Sequence, residues 1–391
     1  MLGYGYQKET DEGSYVTGDT YVSPTLKYIN SAGTIAYGSS FLNEFAIQSF
    51  FGRLNLDYKD RYLLEASLRR DASSKFAQGN RVGYFPAVSG AWKISKEGFF
   101  KKNKIFNEFK LRADVGSTGN QEGIGYYDYL QTYSSSGIAY SGSSGLSFPS
   151  SKYNPDLTWE KTIQYGAGLD FSLFNNRVDV TADWYQKDTK DLLQSHSINS
   201  LSGYSTITSN VGSITNKGLE FSISSHNIKE TFIWNTTLLF TYQKNEVTGL
   251  NKSATGADVG VDVGYVNRLE VGHSYAAFYL IQALGIYQSK EEILAEKYGQ
   301  ALWNKGIRPG DVKYYDKNED GLINNDDREF RGSPFPKFFG SLNNTFAYKG
   351  FDLNIDLQYS YGNKTYAYWK SGSKAGSLGG AAVQIIYITR S

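Results

Sequence analysis

The run at residues 316–327, Asp-Lys-Asn-Glu-Asp-Gly-Leu-Ile-Asn-Asn-Asp-Asp, has the residue types and spacing of a calcium loop. Asp316, Asn318 and Asp320 place oxygen donors at positions 1, 3 and 5. Gly321 permits a sharp turn, the carbonyl of Leu322 suits position 7, Asn324 can act through a water, and Asp327 closes the loop. Carboxylates crowded in this way repel one another, and a hard cation offsets that repulsion. The run departs from an EF-hand at its end, where Asp327 replaces a longer bidentate Glu, and helical patterns do not flank it on both sides. The alternative is a solvated acidic turn. Calcium, if bound there, is expected to stiffen an external loop, not to catalyse.

Other constellations carry less chemistry. His196, His226 and His273 lack metal-ligand spacing, and the chain has no cysteine, so thiolate nucleophiles, disulfides and cysteine metal sites are excluded. Gly116-Ser117-Thr118-Gly119 lacks the Gly-Lys-Ser/Thr element of a phosphate loop. Asp179 and Asp183 could pair as acid and base, but they share a strand face with Thr181 and fit a hydrated surface better. No catalytic residue and no organic cofactor is therefore expected, and the chain does not read as an enzyme. With 40 basic and 39 acidic residues, it offers no general attraction for nucleic acid.

Hairpins dominate the elements that must position these residues. In Phe50 to Tyr58, Phe50, Leu54, Leu56 and Tyr58 share one face while Arg53, Asn55 and Asp57 share the other. After a turn at residues 59–61, Tyr62, Leu64, Ala66 and Leu68 alternate with Glu65, Ser67, Arg69 and Asp71. The same object returns about the turn at residues 174–177 and again about His226 and Asn227. The clearest copy runs from Leu342 through Lys349 and Gly350 to Tyr361. Strands of about ten residues, alternating apolar and polar and flanked by aromatics, are the signature of a transmembrane β-barrel.

A soluble sandwich also gives each strand one apolar face. Two features favour the membrane. Rings sit at the shoulders of tight turns, as in Tyr58 with Tyr62 and Tyr348 with Phe351, and short turns at one end alternate with long connections at the other. The composition, with 32 Tyr, 23 Phe and 41 Gly, leans to strands and turns. Mean hydropathy is -0.45 and no run of about eighteen apolar residues occurs, which argues against transmembrane helices only. A barrel hides from such averages because half of every strand is polar.

The rest of the chain reads as connections between about a dozen strands. Tyr15 to Val22 reads as a strand, followed by a Gly- and Ser-bearing segment up to Ser40. Residues 118–154, rich in Ser and Gly, read as a long mobile loop. Further long connections run over 188–210, 244–272 and 288–336. The last holds one helix signal, a capping box of Ser289 and Glu292 ahead of Ile293, Leu294 and Tyr298. Met1 to Tyr6 has neither a basic start nor an apolar core of a secretory signal.

Several blocks together resemble the SusC/RagA family of TonB-dependent outer-membrane transporters. They are FGRLNLDYKDRYLLEASLRRDASSKF with GYFPAVSGAWKIS, LRADVGSTGNQ, NPDLTWEKTIQYGAGLDFSLFNNRVDVTADWYQKDTKDLL, NVGSITNKGLEFSI, and GDVKYYDKNEDGLINNDDREFRGSPFPKFFGSLNNTFAYKGFDLNIDLQYSYGNK, in family order from Phe51 to Lys364.

The resemblance implies an all-β, antiparallel transmembrane β-barrel in the bacterial outer membrane, with a plug in its lumen. Such a transporter imports oligosaccharides or peptides with energy delivered by TonB and is lidded by a SusD-like surface lipoprotein. The family's barrel has about 22 strands. A dozen strands therefore imply an incomplete barrel, covering residues 1–370 and followed by a non-matching tail at 371–391. Arg53, Asp57 and Arg69 would face the lumen. The rival expectations are a soluble, calcium-stabilised β-sandwich that binds glycans through tyrosines and, more remotely, a glycosidase.

Overall fold

The computed structural model describes residues 1–100, 105–140, 143–147, 149, 151–250, 260–263, 266–366 and 386–387. The tail set apart at 371–391 lies outside the described residues except for Ile386 and Tyr387. No helix among the described residues is long and apolar enough to cross a membrane.

Eleven antiparallel strands form one sheet in sequence order. They are β1 (Leu2–Asp19), β2 (Thr34–Tyr58), β3 (Tyr62–Ser73), β4 (Val82–Lys93), β5 (Phe106–Asn120), β6 (Glu160–Leu173), β7 (Val178–Lys190), β8 (Gly212–Lys229), β9 (Phe232–Leu250), β10 (Phe338–Tyr348) and β11 (Phe351–Tyr361). Among the described residues β1 pairs only with β2 and β11 only with β10, so the described sheet is open at both edges.

Register is fixed by the turns. Lys59 and Asp60 both adopt positive φ in the three-residue turn between Tyr58 and Tyr62, as do Lys349 and Gly350 in the two-residue turn between Tyr348 and Phe351, and such turns match strand twist. The Asp60 N–H donates to Asp57 Oδ1 at 2.8 Å and locks the first of these turns. The turn between β8 and β9 falls at residues 230–231, later than the sequence pattern suggests. A bulge between His226 and Ile228 takes up the extra residue that the alternation could not reveal.

Burial in the sheet is inverted relative to a soluble core. Leu54 is 56 % exposed and Leu357 57 %, while Asp71 on the opposite face is 6 % exposed. The apolar faces of neighbouring strands line up across the register: Tyr62 lies opposite Trp92, Trp92 opposite Leu111, Leu111 opposite Leu169, and Leu169 opposite Ala182. This continuous apolar band, ringed by aromatics at the short-turn end, is what a barrel presents to lipid.

In the segment between Val22 and Ser40, expected as a connection, residues 23–33 are not strand and Thr34 onward belongs to β2, while the strand expected at Tyr15–Val22 starts at Leu2 and ends at Asp19. β2 has 25 residues and is roughly 80 Å long at 3.3 Å per residue, far more than a membrane requires. Beyond the bilayer both faces meet water, so β1 and β2 lose the alternation that marks the membrane portion.

The long connections fold into their own small cores. Phe76, Phe85, Ile124, Leu157, Trp159 and Leu193 form one buried cluster. Ile124 thereby anchors part of the segment expected as a mobile loop. A second cluster joins Val247, Leu250 and Leu269, next to a four-stranded sheet of Val261–Val263, Asn267–Leu269, Ala277–Ile281 and Arg328–Gly332. The expected helix is present as α1 (Lys290–Ala295), capped by Ser289, whose side chain accepts from the Glu292 N–H at 3.2 Å. A second helix, α2 (Gly299–Asn304), follows without a side-chain cap, which is why the sequence did not signal it.

Candidate transport surface

The polar face of the sheet is a field of paired charges. Arg112 on β5 binds Asp170 on β6 through two parallel hydrogen bonds of 2.8 Å each and reaches Asp183 on β7 at 2.9 Å. Lys110 adds a 3.0 Å contact to Asp170. The fork of the guanidinium matches a carboxylate, so one arginine ties three strands together. Gly166 and Gly168 leave room for the network: a Cβ at either position would lie 2.3 Å from an oxygen of Asp114 or Asp183 respectively.

Each residue expected to face the lumen does lie on this polar face, and each has a partner. Arg53 pairs with Glu65 at 2.5 Å, Arg69 grips Asp71 at 2.7 Å and Ser49 at 3.0 Å, and Asp57 caps the tight turn. Asp179 accepts from Ser172 and Asp183 from Arg112, so the two carboxylates are held apart by separate partners. The arrangement leaves the polar face charged but ion-paired along and across neighbouring strands. The Arg112 network was invisible in the sequence because it depends on inter-strand register.

The run at 316–327 lies in the long connection between β9 and β10 and forms a compact turn. Asp316 accepts from the N–H groups of Asp320 at 3.2 Å and Gly321 at 2.8 Å. Asn318 accepts from the Asp320 N–H at 3.2 Å, and Asp320 from the Leu322 N–H at 2.7 Å. Asp327 is fully buried and accepts from the N–H groups of Lys317 at 2.9 Å and Asn324 at 2.8 Å. Gly321 has φ +79°, the left-handed conformation the turn requires. Backbone donors thus balance the carboxylates, and among the described residues no group of three or more His, Cys, Asp or Glu side chains converges to hold a metal ion.

Next to this turn, Lys297 pairs with Glu319 at 2.9 Å, and its ammonium holds the Glu319 carboxyl below the usual range. His273, set aside as a ligand, stacks on Phe330 with ring centroids 3.6 Å apart.

The comparisons agree with this geometry. Residues 1–366 match the family model described as TonB dependent receptor-like, beta-barrel. The TonB-dependent receptor P26 of Formosa agariphila is 37 % identical over 355 residues, covering 86 % of this chain and 34 % of that protein. The TonB-dependent receptor SusC of Bacteroides thetaiotaomicron is 31 % identical over 333 residues, covering 81 % of this chain and 31 % of the relative. The chain thus spans about a third of the length of these curated relatives. Among solved structures, the RagAB peptide importer in its closed-closed state superposes with a TM-score of 0.76 at 23 % identity, covering 95 % of this chain and 40 % of that one.

Proposed function

Given that the chain belongs to the TonB-dependent receptor-like β-barrel family, a family of outer-membrane proteins, we propose that it forms the membrane-spanning wall of a nutrient importer. The observation that carries this reading is the sheet with an exposed apolar face and an ion-paired polar face. An importer of this kind takes up oligosaccharides or peptides; RagAB is described as a peptide importer, so both classes belong in the test. A plug, TonB and a SusD-like lipoprotein over the long loops would be the partners. The open edges of β1 and β11 need further strands, because unpaired backbone groups are untenable in lipid.

The test is uptake of labelled oligosaccharide and peptide pools by cells with and without the receptor that carries this chain. Receptor-dependent uptake that collapses with the proton-motive force supports the proposal. Equal uptake by both strains sinks it, as would turnover of a glycan by the purified receptor.

Calcium at residues 316–327 is a further part of the proposal, supported by the donor types and by a turn already held in shape by its own N–H groups. An extracellular site of this kind would have a Kd on the order of 0.1–1 mM. Calcium should raise the melting temperature of the intact receptor relative to chelator, and an Asp316→Asn variant should lose the increment. Identical melting with and without calcium would remove the ion from the account.

A further inference from the structure

The charge pairing of the polar face stops at one place. Arg53, Arg69, Lys110 and Arg112 each hold a carboxylate. Lys337 and Lys364 hold none among the described residues, and both line one cavity of about 940 Å³. Lys187 on β7 also lacks a carboxylate, but its ammonium lies over the Tyr185 ring, 5.4 Å from the centroid.

The cavity lies where the long connection between β9 and β10 meets the loop ends of β9, β10 and β11. The Gln243 N–H donates to the Lys337 carbonyl at 3.0 Å, and the Lys337 N–H to the Tyr361 carbonyl at 2.8 Å, so Lys337 continues the sheet. The preceding row, Tyr242 opposite Phe338, belongs to the outward apolar face. Alternation therefore puts the side chains of Gln243 and Lys337 on the polar face.

Both lysines lie across bare backbone. A Cβ at Gly362 would be 2.8 Å from Lys337 Cγ, and one at Gly332 would be 2.7 Å from Lys364 Cδ. These glycines have φ of +89° and +119°, so their turns demand glycine, and the lysine stems occupy the space it leaves. The half-buried Lys364 ammonium also donates to the Arg331 carbonyl. A side chain held in place loses less freedom when it meets a ligand.

The nearby carboxylates are engaged elsewhere. Glu246 pairs with Lys244, Glu270 with Arg268 and Glu329 with Arg331. Glu220 on β8 stands two strands and two residues from Lys337, about 12 Å away and out of contact. The sequence contains no Asp or Glu after Asp356, which accepts from Gln358 at 3.3 Å.

The rest of the lining suits a sugar. The stacked rings of His273 and Phe330 supply a flat surface for the C–H face of a pyranose, and Ser274, Ser333 and Asn363 supply hydroxyl and amide groups for its rim. No lining residue is acidic. A peptide brings N–H donors and an amino-terminal cation, which two free ammonium groups disfavour. Hydroxyls interspersed with negative groups match both features of the cavity.

We infer that this cavity binds an oligosaccharide carrying anionic groups, uronate carboxylate or sulfate ester, with Lys337 and Lys364 receiving them as charge-assisted donors. The inference rests on the import reading and narrows its substrate class.

The purified intact receptor carrying this chain is incubated with a mixed pool of oligogalacturonates, carrageenan oligosaccharides, malto- and cello-oligosaccharides and tryptic peptides. Solutes that travel with it through gel filtration are identified by mass spectrometry. At least one anionic class should be enriched about tenfold over neutral oligosaccharides of equal length. The galacturonate and carrageenan arms tell carboxylate from sulfate. Lys337→Gln, a change at an exposed position, should cut the enrichment about fivefold, and Lys337→Arg should keep most of it. Lys337→Gln with Lys364→Gln should erase it.

Enrichment of neutral sugars or peptides instead, no enrichment of either anionic class, or enrichment unchanged in the double variant overturns the inference. Equal losses in Lys337→Arg and Lys337→Gln overturn it too, because charge would not be the cause. The two readings fail separately. Receptor-dependent uptake of neutral sugars or peptides with no anionic enrichment sinks this inference alone, and anionic enrichment on the purified receptor without receptor-dependent uptake sinks import alone.

Discussion

The sheet and the loops of this protein bury opposite kinds of residue. Most of the side chains enclosed in the loops are apolar, Phe76, Leu157, Leu269 and Ile293 among them, although Lys75, Glu97 and Asp327 are buried there too. In the sheet, Leu54, Leu56, Leu353 and Leu357 are exposed while Ser49, Asp71 and Ser172 are buried. The same chain obeys one rule in both places, because apolar area leaves water either for a protein core or for lipid. What differs is the solvent on the far side, and each region's pattern identifies its own.

The largest effect expected is in the loops. Phe76→Ala removes a ring packed on Trp159 with centroids 5.1 Å apart, and should cost about 3–5 kcal/mol of local stability. Hydrogen exchange should then rise at Leu157 and Ile124 while the sheet stays protected. A Leu54→Ala change leaves no sealed cavity, because lipid fills the gap, and should cost clearly less. An equal cost at both positions would break the contrast between a protein core and a lipid face.

Charge should reveal the same contrast within one strand. Leu54→Arg, on the apolar face, should cost about 2–4 kcal/mol when the intact receptor is unfolded from bilayers, and Asn55→Arg, one residue on, about a quarter of that or less. On the polar face, Arg112→Ala leaves Asp170 and Asp183 without their shared partner. Because that network is partly hydrated, the expected loss is only about 1–2 kcal/mol, read from the same unfolding experiment.

The hairpins were legible because membrane strands repeat every two residues and their short turns carry distinctive residues. The parts that were missed follow different rules. The later part of β1, which pairs with the outer half of β2, stands beyond the bilayer, so Lys8, Glu9, Asp11 and Glu12 occupy a strand without alternation. The Phe76 cluster gathers side chains from five separated segments, which no local pattern announces. The Arg112 network needed the register of β5, β6 and β7. At the 316–327 turn the sequence correctly indicated a tight oxygen-rich loop, but not that its own N–H groups occupy the carboxylates.

The smallest effect expected is at that turn. Lys297 lowers the folded-state pKa of Glu319, so the pair's contribution is present above the carboxylate's unfolded value and is lost as pH falls through the folded value. The pair is exposed and weak. Cleavage within the loop by an acid-tolerant protease should rise modestly as the medium is acidified through the carboxylate range, and Glu319→Gln should flatten that response. A pH profile unchanged by the substitution would remove the pair from the loop's stability.

The central claim, that one face of the sheet meets lipid and the other a hydrated lumen, has a direct test because the chain contains no cysteine. Single cysteines placed in turn at Arg53, Leu54, Asn55 and Leu56 in the intact receptor can carry a nitroxide in bilayers. Its collisions with dissolved oxygen and with a water-soluble nickel chelate then report the surroundings. The account predicts strict alternation, with oxygen dominant at Leu54 and Leu56 and nickel dominant at Arg53 and Asn55. Nickel access at all four positions, or the opposite phase, would contradict it.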